Sequence, residues 1–178
     1  MRSFPTLTGP GFTLRPWRRS DAAGLEPACA DADISRFTWV PPTYSPQEAE
    51  AWVAQQHARL REGSALVLAI EIAEHDLPAG MVGLFALDER RPRIGYWIIE
   101  AFRGRGLAGA AARRLMNWTF AELAPDAVQL DIEPHNVASQ RVARGLGGRP
   151  TGRVARTEAG RRVVFERYTI EPGADSGR

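Results

Sequence analysis

The chain has 178 residues, of which 44% are hydrophobic and 25% charged, enough apolar material for one domain with an ordinary core. Its 23 basic and 21 acidic residues leave a formal net charge of +2, too balanced to argue for a nucleic-acid partner. One cysteine, Cys29, excludes an intrachain disulfide; no apolar run nears the ~18 residues of a membrane span, and Arg2 has no signal-like stretch behind it, so a soluble cytoplasmic protein is expected.

In chain order, residues 1–11 read as an irregular lead, and Phe12 to Trp17 as a first strand that Pro16 places at an edge. Ser20 and Asp21 open a helix over about 21–30 that Gly24 and Pro27 weaken. Residues 31–43 read as a loop with the exposed-looking aromatics Phe37, Trp39 and Tyr44; Trp39, Tyr44 and Trp52 could line an acceptor pocket, although aromatics near a helix more often serve packing. Ser45-Pro46-Gln47-Glu48 is a capping box with proline at the first helical position, and Gly63 stops the helix it starts. Trp52, Val53, Gln56 and Leu60 fall on one face of that helix. Strands follow at about 66–72 and 80–87. A polar turn leads to a central strand, Ile94 to Ile99, then a glycine-rich bend and a helix over about 107–122. Leu107, Ala111, Leu115 and Trp118 face the sheet. The strand from Val128 to Ile132 must run parallel to the central one, because a crossover helix joins them. Asn136 caps a short helix to about Arg144, and two more strands follow near 152–156 and 163–170, joined by a turn at 158–160. Residues 1–171 form a single domain in this reading, with 172–178 a mobile tail. The pattern predicts an α/β fold with a mixed sheet of about seven strands and helices on both faces.

The bend carries the chemistry. Gly104 and Gly106 let the backbone turn sharply. The helix that opens near Leu107 offers free N–H groups and the positive end of its dipole. Arg103 and Arg105 add charged donors, so a phosphate or pyrophosphate is expected on residues 103–108. Gly104-Arg105-Gly106-Leu107-Ala108-Gly109 fits the dinucleotide fingerprint GxGxxG, which would imply NAD. That fingerprint belongs after the first strand of a repeated βαβ array, whereas roughly half of this chain precedes the bend.

Arg103 to Ala108 also fits Arg/Gln-x-x-Gly-x-Gly/Ala. Together with LRPWRRSDAAGL near the start, IGYWI, and Asn136-Val137-Ala138-Ser139 before Gly145-Leu146-Gly147, it resembles the Gcn5-related N-acetyltransferases (GNAT), more narrowly their RimJ/RimL-like branch of ribosomal-protein alanine acetyltransferases. The resemblance implies acetyl-CoA as co-substrate, no metal, and transfer to a primary amine by direct attack in a ternary complex. It implies a parallel βαβ unit splayed to admit coenzyme A. The pantetheine arm would pair with backbone near Trp97, Ile98 and Ile99, the pyrophosphate would lie on Arg103, Gly104, Arg105, Gly106, Leu107 and Ala108, and Asn136 would contact the arm. The tyrosine that many members use as general acid is absent, with Ala143 in its place; Ser139 matches the serine proposed for this role in the branch. The glutamate often found just before IGYW is Arg93 here, and the usual Gly-Phe after the late helix is Gly147-Gly148.

No residue stands out as general base; Glu71 and Glu100, each near a strand end, are the candidates. The amine must be neutral to attack. With reference pKa values of ~7.7–8.0 for an α-amine and ~10.4 for lysine, a lysine asks for ~3–4 kcal/mol more. A weak base therefore favours an α-amine, of a protein N-terminus or a small molecule. The lost tyrosine also leaves a non-catalytic acyl-CoA sensor as an alternative, and the reading leaves a homodimer open.

Overall fold

The computed structural model describes residues 5–38, 40–158 and 160–173. Eight strands form one sheet in the order β1-β2-β3-β4-β5-β6-β8-β7: β1 Leu7–Gly9, β2 Phe12–Pro16, β3 Ala65–Glu71, β4 Gly80–Phe85, β5 Arg93–Ile98, β6 Val128–Ile132, β7 Arg149–Glu158 and β8 Arg161–Ile170. All neighbours run antiparallel except β5 and β6. The helices are α1 Leu25–Ala30, α2 Ala32–Phe37, α3 Pro46–Glu62, α4 Leu107–Glu122 and α5 Val137–Gly145, with 3-10 turns at Arg19–Gly24 and Glu100–Phe102.

Two local differences from the sequence reading have physical causes. The lead is not irregular throughout: Leu7–Gly9 pairs with β2 as an eighth strand, and Leu7 is buried. The supposed loop after residue 31 holds α2, because the Asp31 carboxylate accepts from the Asp33 and Ile34 N–H groups and caps it. Trp39 and the far tail, 174–178, lie outside the described residues, as does Ala159 of the last turn.

The sheet separates two cores. On one face, α4 packs Ala111, Ala112, Leu115 and Met116 against Leu68, Val82, Leu84, Ile94 and Leu130. Each large aliphatic side chain buried there contributes about 1.5–3 kcal/mol. On the other, α1, α2 and α3 close over Trp17, Val67, Met81 and Trp97. β3 is buried on both faces, which explains its unbroken apolar run. Gln56 interrupts the α3 stripe without cost, because its buried amide donates to the Trp52 carbonyl at 2.8 Å. α3 begins at the expected capping box and ends at Gly63, in the left-handed region at φ 75°.

Candidate active site at the seam between β5 and β6

β5 and β6 part almost as soon as they meet. Their register holds at Arg93↔Gln129, where the Gln129 N–H donates to the Pro92 carbonyl at 2.9 Å. β4, by contrast, stays paired with β5 from Gly80↔Ile98 to Phe85↔Arg93. An antiparallel ladder alternates, and the Ile99 N–H donates to the Ala79 carbonyl. Trp97 and Ile99 therefore turn their backbone toward β4, while Tyr96 and Ile98 turn theirs toward the seam. Of the three residues expected to pair with the cofactor arm, Ile98 is the one that faces the gap.

A cleft of about 820 Å³ runs through this seam. Its walls come from both faces of the sheet. Tyr96, Asn136 and Ser139 line it on the α5 side; Tyr44, Trp52, Phe85, Arg93 and Trp97 line it on the α3 side. The opening thus passes from one core face to the other. The Phe85 ring lies over Gly95, where an added Cβ would come within 3.2 Å of it. Behind this wall, Trp17 meets Trp52 edge-on at 5.0 Å and Trp97 at 6.3 Å.

At the end of β5 the chain enters the glycine-rich bend. Gly104 and Gly106 adopt φ 75° and 73°, with nothing within 4 Å of an added Cβ, so glycine is needed for its backbone and not for space. α4 starts with Gly106 at its N-cap, no side-chain cap and no acidic residue in its first turn. Its first N–H groups are left for a ligand, as an anion site requires. The two arginines differ. Arg105 is exposed, with its guanidinium 5.9 Å over the Phe102 ring. Arg103 folds back: Nε donates to the Ile98 carbonyl at 2.9 Å and an amine nitrogen to Asp31 at 2.5 Å. It fastens the start of α2 to the end of β5, and Asp31 offsets much of its charge. Burial would raise the Asp31 carboxyl, but Arg103 and the capping N–H groups hold it below the usual range.

Asn136 caps α5 by accepting from the Ser139 N–H at 3.0 Å. The Tyr96 hydroxyl lies 3.5 Å from the Ser139 carbonyl, and burial pushes its pKa up to about 12. Ala143 is fully buried on the inner face of α5, and an added Cβ on Gly148 would come within 2.7 Å of its carbonyl oxygen. A phenylalanine at 148 would therefore force this corner to move.

Asp131, on β6, is held by Arg156 and by both nitrogens of Arg167 at 2.7 and 2.9 Å. Its side chain is 3% exposed. Burial pushes the carboxyl up, but the Arg167 and Arg156 guanidiniums outweigh it and hold the pKa below the usual range. A depressed folded-state pKa gives stability that is present above the unfolded value of ~3.9 and lost as pH falls through the lower folded value. Acid unfolding followed by circular dichroism should therefore lose part of its steepness below about pH 4 in Asp131→Asn.

The base candidates fare differently. Glu71 ends β3 with its carboxylate taken by Arg15 at 2.7 Å and Arg18 at 3.1 Å, and it does not line the cleft. Glu100 is exposed in the 3-10 turn and also lies off the cleft. The carboxylate that does line it, and that the sequence reading missed, is Glu133 at the end of β6. It makes no ion pair among the described residues and is half-buried. A lone glutamate before Pro134 carries no motif; only the seam reveals it.

The family model for the acetyltransferase (GNAT) domain matches residues 12–149. The chain belongs to the GNAT acetyltransferase family. GNAT relatives include the uncharacterized N-acetyltransferase p20 of Bacillus licheniformis, 25% identical over 149 residues that cover 83% of this chain and 84% of p20. Among solved structures, Mycobacterium smegmatis RimJ in complex with CoA-disulfide superposes with a TM-score of 0.83 at 20% identity, covering 97% of this chain and 88% of that one. RimL, a ribosomal L7/L12 alpha-N-protein acetyltransferase in complex with coenzyme A, gives 0.83 at 21%, covering 96% and 100%. The GNAT assignment makes this an acetyl-CoA-dependent N-acetyltransferase and sets aside the NAD reading of the GxGxxG match. Among the described residues no cluster of His, Cys, Asp or Glu could hold a metal, and no helix is long and apolar enough to cross a membrane.

Proposed function

We propose that this GNAT domain acetylates an α-amine, with the donor entering on the α5 side of the seam and the acceptor on the aromatic α3 side. The observation that carries this reading is the passage through the sheet, lined by Ser139 and by Glu133, which makes no ion pair among the described residues. The residues fit coenzyme A: an uncapped helix start at Leu107, left-handed glycines before it, and the Tyr96 backbone and Ile98 N–H that β6 leaves unpaired, the Ile98 carbonyl being held by Arg103. When bound, acetyl-CoA supplies an activated thioester.

In this reading the backbone N–H groups turned into the seam polarise a carbonyl placed there. Glu133 takes the proton that the amine gives up, directly or through water. The Ser139 hydroxyl donates toward sulfur as the thiolate leaves. A thiolate has a pKa near ~8.5, so hydrogen bonding suffices, and Tyr96, held neutral, need not give up its proton. Arg105 and the first turn of α4 hold the pyrophosphate, Arg103 keeps the bend in place, and Asn136 presents Ser139. An α-amine suits a single carboxylate base better than lysine does, and the similarity to RimL, an alpha-N-protein acetyltransferase, points the same way.

The test is free-thiol release with a panel of peptides bearing free N-terminal Ala or Ser, internal-lysine peptides with blocked termini, and small amines. α-Amines should be turned over in preference to lysine; equal rates would overturn the acceptor assignment. Glu133→Gln should lower kcat by roughly 10²-fold or more and Ser139→Ala by less, while calorimetric acetyl-CoA affinity stays close to that of the unaltered protein. A Glu133→Gln rate within a few-fold of the original would remove it as base.

A further inference from the structure

The α3 side of the cleft holds two guanidiniums that no carboxylate among the described residues neutralises. Arg59, near the end of α3, and Arg93, at the start of β5, both line the cleft and are half-buried. Neither has an ion pair or a side-chain hydrogen bond among the described residues. The arginines most deeply placed around the cleft and at β2 are matched: Arg15 by Asp21 and Glu71, Arg156 and Arg167 by Asp131. A cation that loses water without gaining a partner is costly.

The sheet register brings the two together. Ala65 pairs with Phe85, and Phe85 with Arg93, so the three form one row across β3, β4 and β5. That row spans about 10 Å, two strand spacings. Arg59 stands over its β3 end, where its carbonyl accepts from the Ser64 N–H at 2.9 Å. Two long side chains can converge over Phe85 from opposite ends of such a row. The cleft's own carboxylates do not serve them: Asp131 is held by two other arginines, and Glu133 stands at the far end of β6.

We infer that Arg59 and Arg93 bind a carboxylate of the acceptor, so that the preferred acceptor carries an anionic group close to its reactive amine. This rests on the acceptor occupying the α3 side, as proposed above. The amine would sit toward Glu133 and the carboxylate toward the arginine pair, with Trp52 and Tyr44 against the apolar part between. The carboxylate could be the α-carboxylate of a free amino acid or an acidic side chain just behind a peptide N-terminus.

Three acceptor pairs separate these sources: free amino acids against their amides, Ser-Glu-Glu peptides against Ser-Gln-Gln, and Ser-Gln-Gln against Ser-Lys-Lys. At least one acid should exceed its neutral counterpart about tenfold or more in kcat/KM, chiefly through KM, and lose that advantage as salt rises. The amino-acid pair tests an α-carboxylate, the Ser-Glu-Glu pair a side-chain one. Arg93→Gln and Arg59→Gln should each bring the acid-to-neutral ratio close to one, and Arg93→Glu should tilt it toward Ser-Lys-Lys. Ratios near one in the unaltered enzyme, or ratios that survive both arginine variants, would overturn the inference. Calorimetric binding of the same peptides to coenzyme A-loaded protein gives a second readout that needs no turnover. Protein that ignores coenzyme A fails the proposed function; protein that acetylates acids and amides alike fails only this inference.

Discussion

Gly106→Val should weaken coenzyme A binding by about 100-fold, roughly 2.7 kcal/mol. The glycine sits at φ 73° as the N-cap of α4, in a region that β-branched residues occupy only under strain of about 1–3 kcal/mol. No atom lies within 4 Å of an added Cβ, so the loop has room to relax, and it relaxes by turning its N–H groups away from the anion site. The body of α4 is anchored by Ala111, Ala112, Leu115 and Met116, all buried, so the fold should survive. Calorimetric titration with coenzyme A beside a thermal melt separates the two effects: affinity falls steeply while the midpoint moves only a few degrees. Unchanged affinity would mean that the bend does not hold the pyrophosphate.

The largest stability loss is expected from Asp21→Ala. Asp21 accepts from Arg15 at 2.6 and 3.0 Å and from the Arg18 N–H at 2.6 Å. The Arg15 and Asp21 side chains are 5% and 3% exposed. Removing the carboxylate leaves a buried guanidinium with Glu71 and the Pro16 carbonyl to face it, and breaking a buried pair in this way costs about 3–5 kcal/mol. In a domain of this size that lowers the melting midpoint by roughly 6–20 °C. Glu50→Gln is the control. It breaks the Arg19–Glu50 pair, whose side chains are 83% and 44% exposed, and should barely move the midpoint. A shift as small as that control in Asp21→Ala would show that water reaches Arg15.

What the sequence made legible was whatever acts locally. The capping box at Ser45 and Glu48, the left-handed stop at Gly63, the Asn136 cap and the left-handed bend at Gly104 and Gly106 each depend on residues within a few positions, and each reads directly from the letters. Short elements did not: Leu7–Gly9 has too few residues to show alternation, and the Asp31 cap of α2 looked like part of a polar loop. The candidate site divided along the same line. Glu71 looked available because its neighbours in sequence are apolar; its partner Arg15 is 56 positions away. Arg103 reads as an unpartnered cation in the letters, and its partner Asp31 lies 72 positions away. Glu133 and Arg59 have no signature in the chain, and Arg93 shows only as a departure before IGYW; that they share one cleft emerges only from the fold.

The opening between β5 and β6 is walled by residues from both sides of the sheet, and in the proposed reading donor and acceptor approach it from opposite sides. Reactants that come in by different doors need not queue, and neither has to back out for the other to advance. The sequence in which they arrive is then governed by how tightly each is held, not by which one is in the way.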